Sequence, residues 1–436
     1  MIRGVRPVAV LALLLASVWP LQAARVSFEE QLANLKSPNA KTREQAAEEL
    51  GKSRRREAVA PLAALVRDPE VKVRLAVVRA LRELRDLDGV PALVTSLGDG
   101  EPKVREEAIS SLVEVYTERE RTGPVGRFLG LFSDEEPRAT VSVPVDPSVI
   151  EGLAGLLRDE DRDIRQEAAQ AIGILGGRAA ADRLLQALAD PDASVRAAVV
   201  GALAKVGTAE EGKHLIPLLA DEPRVRDRAI RAIGTLRVRE AGPALRELFE
   251  SSRKREESEA ILTAISRIGD PEQAPFLRSL IQDPNLTYSR LAIEGLARVA
   301  AEGQITAFKK DFQRERSEEL RLAYAFAIVR LGDVSFLDTL VLGLPSGTLG
   351  VRSAEYLVEL GPGILPELYP YLADPDAEVR ARLADVMAAL GDPAAIRYLE
   401  PLLQDPSTRV SDAANRAVQL LRRHGSEPSP SAQPFQ

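Results

Sequence analysis

The sequence predicts an all-α protein, a right-handed α-solenoid of about twelve stacked helix pairs. Three observations lead there. A short pattern, Asp-Pro followed by Val-Arg, keeps returning along 436 residues. Between its returns the apolar residues recur at helical spacing. Aromatic side chains make up only 4% of a chain rich in Ala, Leu, Val and Arg, which suits many small, similar helix contacts better than one large core. The chain is also long for a single compact core and suits an elongated array.

The Arg of the Val-Arg pair anchors each unit. Arg43, Arg74 and Arg105 are spaced by 31, as are Arg165 and Arg196, and Arg226 follows 30 later. Ser258 and Ser289 hold the place in the next two units, followed by Arg321, Arg352, Arg380 and Ser411. A fixed period of this size is the signature of a repeat architecture. In the unit containing "DPDASVRAAVVGALAKVG" (190–207), Val195, Val199, Ala202 and Leu203 form an apolar stripe, while Arg196 and Lys205 fall off it. Two helices of about eleven residues and two short turns fill one period. One such pair cannot bury its apolar face alone, and stacking buries a continuous core.

The punctuation has physical reasons. Six residues before most anchors stands a short oxygen-bearing side chain, Ser37, Asp68, Asp99, Asp159, Asp190, Ser252, Asp283, Ser346, Asp374 or Asp405, with Asp221 one residue closer. The expectation is that it caps the second helix of the unit. Pro38, Pro69, Pro191, Pro284, Pro375 and Pro406 would then hold the first helical position, where a missing N–H is harmless. Gly176, Gly207, Gly269, Gly332 and Gly391, eleven after the anchor, would close helices in the left-handed conformation.

The recurrent Arg lies almost two turns into its helix, too far on to cap it. The pairs Asp68/Arg74, Asp99/Arg105, Asp159/Arg165, Asp190/Arg196 and Asp374/Arg380 are expected to form a structural ladder along the stack. Each guanidinium would bridge to the capping Asp or a turn carbonyl of its neighbour. A basic stripe for a ligand is the weaker reading, because matching Asp residues accompany the Arg residues.

The D-P-x-x-x-V-R pattern at about 31 residues per unit resembles HEAT repeats, of the short type also found in phycobilin-lyase-like proteins. The resemblance covers about residues 28–423 and departs most where Ser258 and Ser289 lack the Arg and Glu315 replaces the Asp. Tetratricopeptide and ankyrin signatures are absent. The resemblance implies the solenoid fold and says little of function, since such repeats serve many unrelated tasks.

The organisation follows: 1–23 a signal peptide, 24–118 HEAT-like repeats 1–3, 119–147 an insertion loop, 148–423 HEAT-like repeats 4–12, and 424–436 a disordered tail. Arg3 and Arg6, the apolar run Val8–Val18 and the small residues Ala23 and Ala24 read as a secretory signal cleaved near Ala23 or Ala24. As a membrane anchor the run is short against the ~20 apolar residues that a span requires. The mature chain is expected in the periplasm or outside the cell, with no integral membrane segment. Loss of Arg3 and Arg6 would take its formal net charge from −7 to −9.

Two departures from the pattern point to function. The Arg105-to-Arg165 interval is 60, so one unit carries about 29 extra residues. At their centre lie Phe128, Leu129, Leu131 and Phe132, too apolar for a free linker. They would fold back as a satellite core, dock on a partner or membrane surface, or stay disordered, and "TVSVPV" (140–145) alternates like an extended segment. Aromatic residues concentrate between Phe276 and Tyr371, ten of the 17 Phe and Tyr. They would fill degenerate cores or serve an interface. Phe326, five after its anchor where other units carry Arg79, Gln170, Arg231 and Glu294, is the expected exposed contact.

Signals for chemistry are scarce. There is no Cys, and the two His, His214 and His424, have no partners in sequence. That disfavours zinc and nucleophilic sets. Neither His is followed by Glu, unlike the His-Glu pairs of HEAT-type metalloenzymes such as deoxyhypusine hydroxylase. The carboxylate pairs Glu106/Glu107 and Glu256/Glu257 read as solvated, and calcium at the Asp turns is disfavoured by the adjoining Pro. One residue past the anchors stand Glu44, Glu106, Asp227, Glu259 and Asp412 against Arg290 alone, a mixed to acidic face unsuited to nucleic acid. No catalytic residue, metal or cofactor is expected. The reading is a non-catalytic protein-binding or assembly scaffold of the cell envelope, its partner unnamed. The alternative is a lyase-like enzyme or enzyme accessory that cradles a pigment or peptide, for which the Phe276–Tyr371 region offers the only candidate apolar pocket.

Overall fold

The computed structural model describes residues 27–118, 140–141, 143–300 and 303–425. Residues 1–23, read from the sequence as a signal peptide, the apolar centre Phe128, Leu129, Leu131 and Phe132, and all of the tail beyond Gly425 lie outside them.

The chain forms two compact units, Met1–Ser96 and Leu97–Gln436. In the first, the helices Ala40–Lys52 and Val71–Leu84 pack side by side. In the second, ten helices occupy the same place in successive repeats. They are Pro102–Tyr116, Arg162–Ile174, Ala193–Val206, Pro223–Leu236, Arg255–Ile268, Leu286–Val299, Glu318–Arg330, Gly347–Leu360, Ala377–Leu390 and Thr408–Gly425. Each is the second helix of a pair and packs on the next, so each unit is an α-solenoid with its core between helix layers. The stripe read from the sequence is that core: Val195, Val199, Ala202 and Leu203 are all buried.

The layers approach closely where one helix offers Gly and the next Ala. A Cβ on Gly51 would stand 2.7 Å from the Ala80 Cα, and one on Gly173 2.9 Å from the Ala202 Cα.

Pro147–Leu156 and Gln304–Arg314 are single first helices of 10 and 11 residues, as expected, but most of the others differ. Instead of one element of eleven residues, a 3-10 turn such as Arg178–Ala180 leads into a short helix such as Ala181–Ala187. Several then tighten again into 3-10 form, as in Tyr369–Ala373 and Glu400–Gln404, each of which contains Pro. A Pro lacks the donor that the wider helix needs.

The caps also sit elsewhere than expected. The second helix Ala193–Val206 is capped by Asp192, which accepts from Ser194 N at 2.7 Å, and not by Asp190. Asp190 stands two residues earlier and accepts from Asp192 N at 2.9 Å, closing the turn that leads into the cap. The shift of two recurs: Asn39, Asp161, Asn285, Asp376 and Ser317 are side-chain caps four residues before their anchors. The Pro of each Asp-Pro pair therefore lies before the cap. It restricts the Asp ahead of it to extended backbone and shapes the turn rather than the first helical residue.

The closing position is conformational, with or without glycine. Gly176, Gly269, Gly332 and Gly391 have positive φ, and so do Arg54, Arg85, Arg237 and Ala300 at the same place in other repeats. Gly207 is the exception, with φ −79° and extended ψ. The same markers move one anchor. The helix Gly347–Leu360 is capped at Ser346, Gly350 N donates to Ser346 O as an anchor amide does, and the chain turns left-handed at Gly361. The anchor of that repeat is Gly350. Arg352, read as the anchor from sequence, is two residues past it and is released from the ladder.

The two described ends of the insertion meet. Thr117–Glu118 and Thr140–Val141 pair antiparallel, with Thr117 opposite Val141 and Glu118 opposite Thr140. Tyr116 Oη accepts from Asp146 N at 3.3 Å, and the next helix starts at Pro147. No described helix is long and apolar enough to cross a membrane.

Candidate functional site

The residues read as a ladder meet in a regular geometry. Arg196 donates from Nη1 to Asp190 O of its own turn at 2.9 Å. Its Nε and Nη2 form a fork on the Asp221 carboxylate of the next repeat, at 2.9 and 2.7 Å. Arg43 on Asp68, Arg165 on Asp190 and Arg380 on Asp405 repeat the fork. The carbonyl is thus the Arg's own, at Asp68 for Arg74, Asp99 for Arg105, Asp159 for Arg165 and Asp374 for Arg380. The carboxylate, where paired, is the neighbour's. Each Asp does two jobs, since one of its oxygens also closes the turn. The Arg196 bond holds the Asp221 carboxyl below its ordinary range despite partial burial.

The ladder crosses the insertion: Arg105 Nη2 donates to Asp159 at 2.8 Å, 54 residues away. It changes hands where the sequence departs. Arg226 finds Glu257, at 2.9 Å, in place of an Asp, so Glu257 is engaged rather than solvated. In the next repeats Ser289 Oγ donates to Asp283 O at 2.9 Å, doing the Arg's carbonyl job.

Where the ladder weakens, a second arrangement begins on the other side of the same helices. Positions one, five and nine after the anchor share one face, because side chains four apart stack along a helix. In the helix Leu286–Val299 these are Arg290, Glu294 and Arg298. All three are buried or nearly so; Glu294 is 5% exposed. Arg290 Nη1 donates to Glu294 at 2.5 Å and its Nε to Glu319 at 3.0 Å. Arg298 holds Glu359 with a two-bond fork, 2.7 Å each, and Ser266 Oγ at 2.7 Å. Tyr356 donates its hydroxyl to Glu294 at 2.5 Å. Arg352, freed from the ladder, approaches Glu294 to 4.0 Å.

These bonds reach over the helix between them. Residues 294 and 298 lie two repeats from 356 and 359, and the intervening helix Glu318–Arg330 is buried almost all round. This overturns the expectation for Phe326. It is 0% exposed, stacked on Tyr356 at 4.4 Å, with the Arg298 guanidinium 5.7 Å from its ring. Phe326 does occupy a face position, but the neighbouring repeats close above it. It is core, not an exposed contact. Ala323, Ala325 and Ala327 leave that helix slim enough to be covered.

Two neighbours of Phe326, Arg298 and Tyr356, line a cavity of about 650 Å³. Its walls are charged. Arg237, Arg267, Arg290, Arg298 and Arg352 line it together with Glu294, Glu355 and Glu359. Of the aromatic residues in this region, Tyr356 lines this cavity. Burial alone would raise the Glu294 carboxyl, but Arg290, Arg298 and the Tyr356 hydroxyl overcome it and hold the group below its ordinary range. Burial raises Tyr356 well above the usual phenol value and raises Glu355. Among the described residues, Arg237 and Arg267 enter no ion pair, and both are exposed at the mouth. The sequence carried a signal for this site in Arg290, the one basic residue just past an anchor, and in its four-residue spacing to Glu294 and Arg298.

A second, isolated carboxylate stands near the insertion. One oxygen of Glu167 is buried without a partner. Burial, and then the charges of Glu106, Asp163 and Asp161, raise it to about 7. No group of His, Cys, Asp and Glu among the described residues could hold a metal ion.

Comparison with known proteins agrees with the architecture. The family model described as HEAT repeats matches residues 29–119, 150–224, 212–297 and 348–422. No curated protein matches the chain significantly. Among solved structures, it is similar to an engineered protein at 20% identity, covering 91% of this chain and 98% of that one with a TM-score of 0.36. It is also similar to importin beta at 14% identity, covering 91% and 67% with a TM-score of 0.44. A third is the Kap95p structure determined with RanGDP, at 13% identity, 92% and 57% coverage and a TM-score of 0.49.

Proposed function

The chain belongs to the HEAT-repeat family, and on that premise we propose that it is a non-catalytic protein-binding scaffold that works in the cell envelope after export. The observation that carries the binding reading is the charged cavity on the second-helix face, lined by Arg298 and Tyr356. In the regular repeats the anchor Arg residues, such as Arg165 and Arg196, are committed to the ladder. Here the fold commits two Arg to a buried Glu and leaves others at the mouth, where a partner would meet them. Regular repeats would not need that departure for stability alone. The insertion between the third and fourth repeats supplies a second candidate contact through Phe128, Leu129, Leu131 and Phe132. Export is supported by Arg3, Arg6, the apolar run Val8–Val18 and the small residues after it.

Immobilised mature chain, with and without residues 119–147, tests the scaffold reading against an envelope extract of the producing cell. The expected result is stoichiometric retention of a defined protein, weakened when the insertion is removed if both contacts act. Retention of no protein, with a small molecule co-purifying instead, contradicts it. Fractionation with N-terminal sequencing tests the location. The mature protein should begin at Ala24 or Arg25 in the envelope or medium, and an uncleaved cytoplasmic product would oppose the proposal.

A further inference from the structure

We propose that the cavity lined by Arg298 and Tyr356 receives a single carboxylate of a partner peptide; this rests on the protein-binding reading above. The walls carry five guanidiniums against three carboxylates, in a chain whose net charge is −7. Two of the three carboxylates are already matched inside the wall. Glu294 lies between Arg290 and Arg298, and Glu359 fills the fork of Arg298 with Arg330 at 3.8 Å. Arg237, Arg267 and Arg352 remain directed to the open space, none of them in a contact closer than 4.0 Å to a carboxylate among the described residues.

Unmatched guanidiniums at a half-enclosed cavity favour an anion, and their planar fork fits a carboxylate in two-bond geometry. The size of the space, about 650 Å³, lies within the ~300–1,000 Å³ usual for ligand sites and admits a few peptide residues. Glu355 limits the charge that can enter. It is half-buried on the same wall and would repel a second negative charge, so a carboxylate is favoured over a phosphate dianion. Thr235 and Thr263 on the wall donate their hydroxyls to Arg231 O and Glu259 O, which leaves their oxygens to accept from a peptide N–H.

Isothermal titration of the full mature chain tests this with four unlabelled probes. They are a neutral Gly-Ser peptide with a free C-terminus, the same peptide amidated, an amidated Glu-containing peptide, and inorganic phosphate. Binding of the free-terminus peptide assigns a C-terminal carboxylate, and binding of the amidated Glu peptide assigns a side chain; either supports the inference. Affinity should fall at least tenfold in the Arg267→Gln/Arg352→Gln variant, whose thermal melt checks that it folds, and should weaken with salt. Equal binding of the amidated neutral peptide, tighter binding of phosphate, no binding by any carboxylate probe, or unchanged affinity in the folded variant overturns it. A partner captured equally well by that variant removes this inference and leaves the scaffold reading standing. Failure of the wild-type chain to capture any partner removes both.

Discussion

At the scale of single residues, position in the repeat does not fix exposure; the neighbours do. Phe326 shares its place with Arg79, Arg231 and Glu294, yet it is sealed by Tyr356 and Arg298. Phe326→Ala should therefore destabilise the second unit by about 3–5 kcal/mol in denaturant unfolding, as for a core aromatic. A change under ~0.5 kcal/mol would mark it as a surface residue after all. Glu167 gives a pH prediction. Its folded pKa of about 7 lies above the ordinary 4.5, so the folded state binds the extra proton between those values. The associated stability is fully present below pH 4.5 and lost as pH rises through about 7. Glu167→Gln should thus be more stable than the wild type at pH 8 by on the order of 1–2 kcal/mol, reduced from the full shift because the side chain is part-exposed. The difference should vanish at pH 4. Equal melting temperatures at both pH values would show that the carboxylate finds water or a partner.

At the scale of the element, each helix pair is punctuated by backbone geometry more than by residue type. The anchor-plus-eleven position has positive φ in nine of the described repeats, with Gly in five and with Arg54, Arg85, Arg237 or Ala300 in the others. Ala300 is exposed, so Ala300→Gly relieves the Cβ clash with little lost packing. It should raise stability by about 0.5–1 kcal/mol, read as a higher thermal midpoint. A lowered midpoint would mean that chain entropy outweighs the strain. Much of this level was legible in the sequence: the period, the apolar stripe and the stop signals all lie where the pattern put them. The caps were misread by two residues because Asp-Pro satisfies two rules at once, the cap rule and the turn rule, and only the position of the next amide tells them apart. Arg352 was misread as an anchor for a related reason. A Val-Arg pair sits beside the true anchor position, and Gly350 carries no side chain to announce it.

At the scale of the whole molecule, the sequence located the aromatic-rich region but not what it builds. Of the aromatics there, Tyr356 lines the cavity, and the charged residues that face it come from repeats up to four apart. Glu294 meets Tyr356, and Arg298 meets Glu359, across 62 and 61 residues. No local pattern reports a pair at that distance. What could be read was the break in regularity, in Ser258, Ser289 and Arg290, and it coincides with the site. The account's central claim is that the second-helix face carries the partner. Photo-cross-linking tests this most directly, with a photoreactive amino acid placed at Thr263 on the cavity wall or at Arg246 on a first helix. The account predicts a partner adduct from position 263 and none from 246. Adducts from 246 alone, or from neither while the partner remains bound, would contradict it.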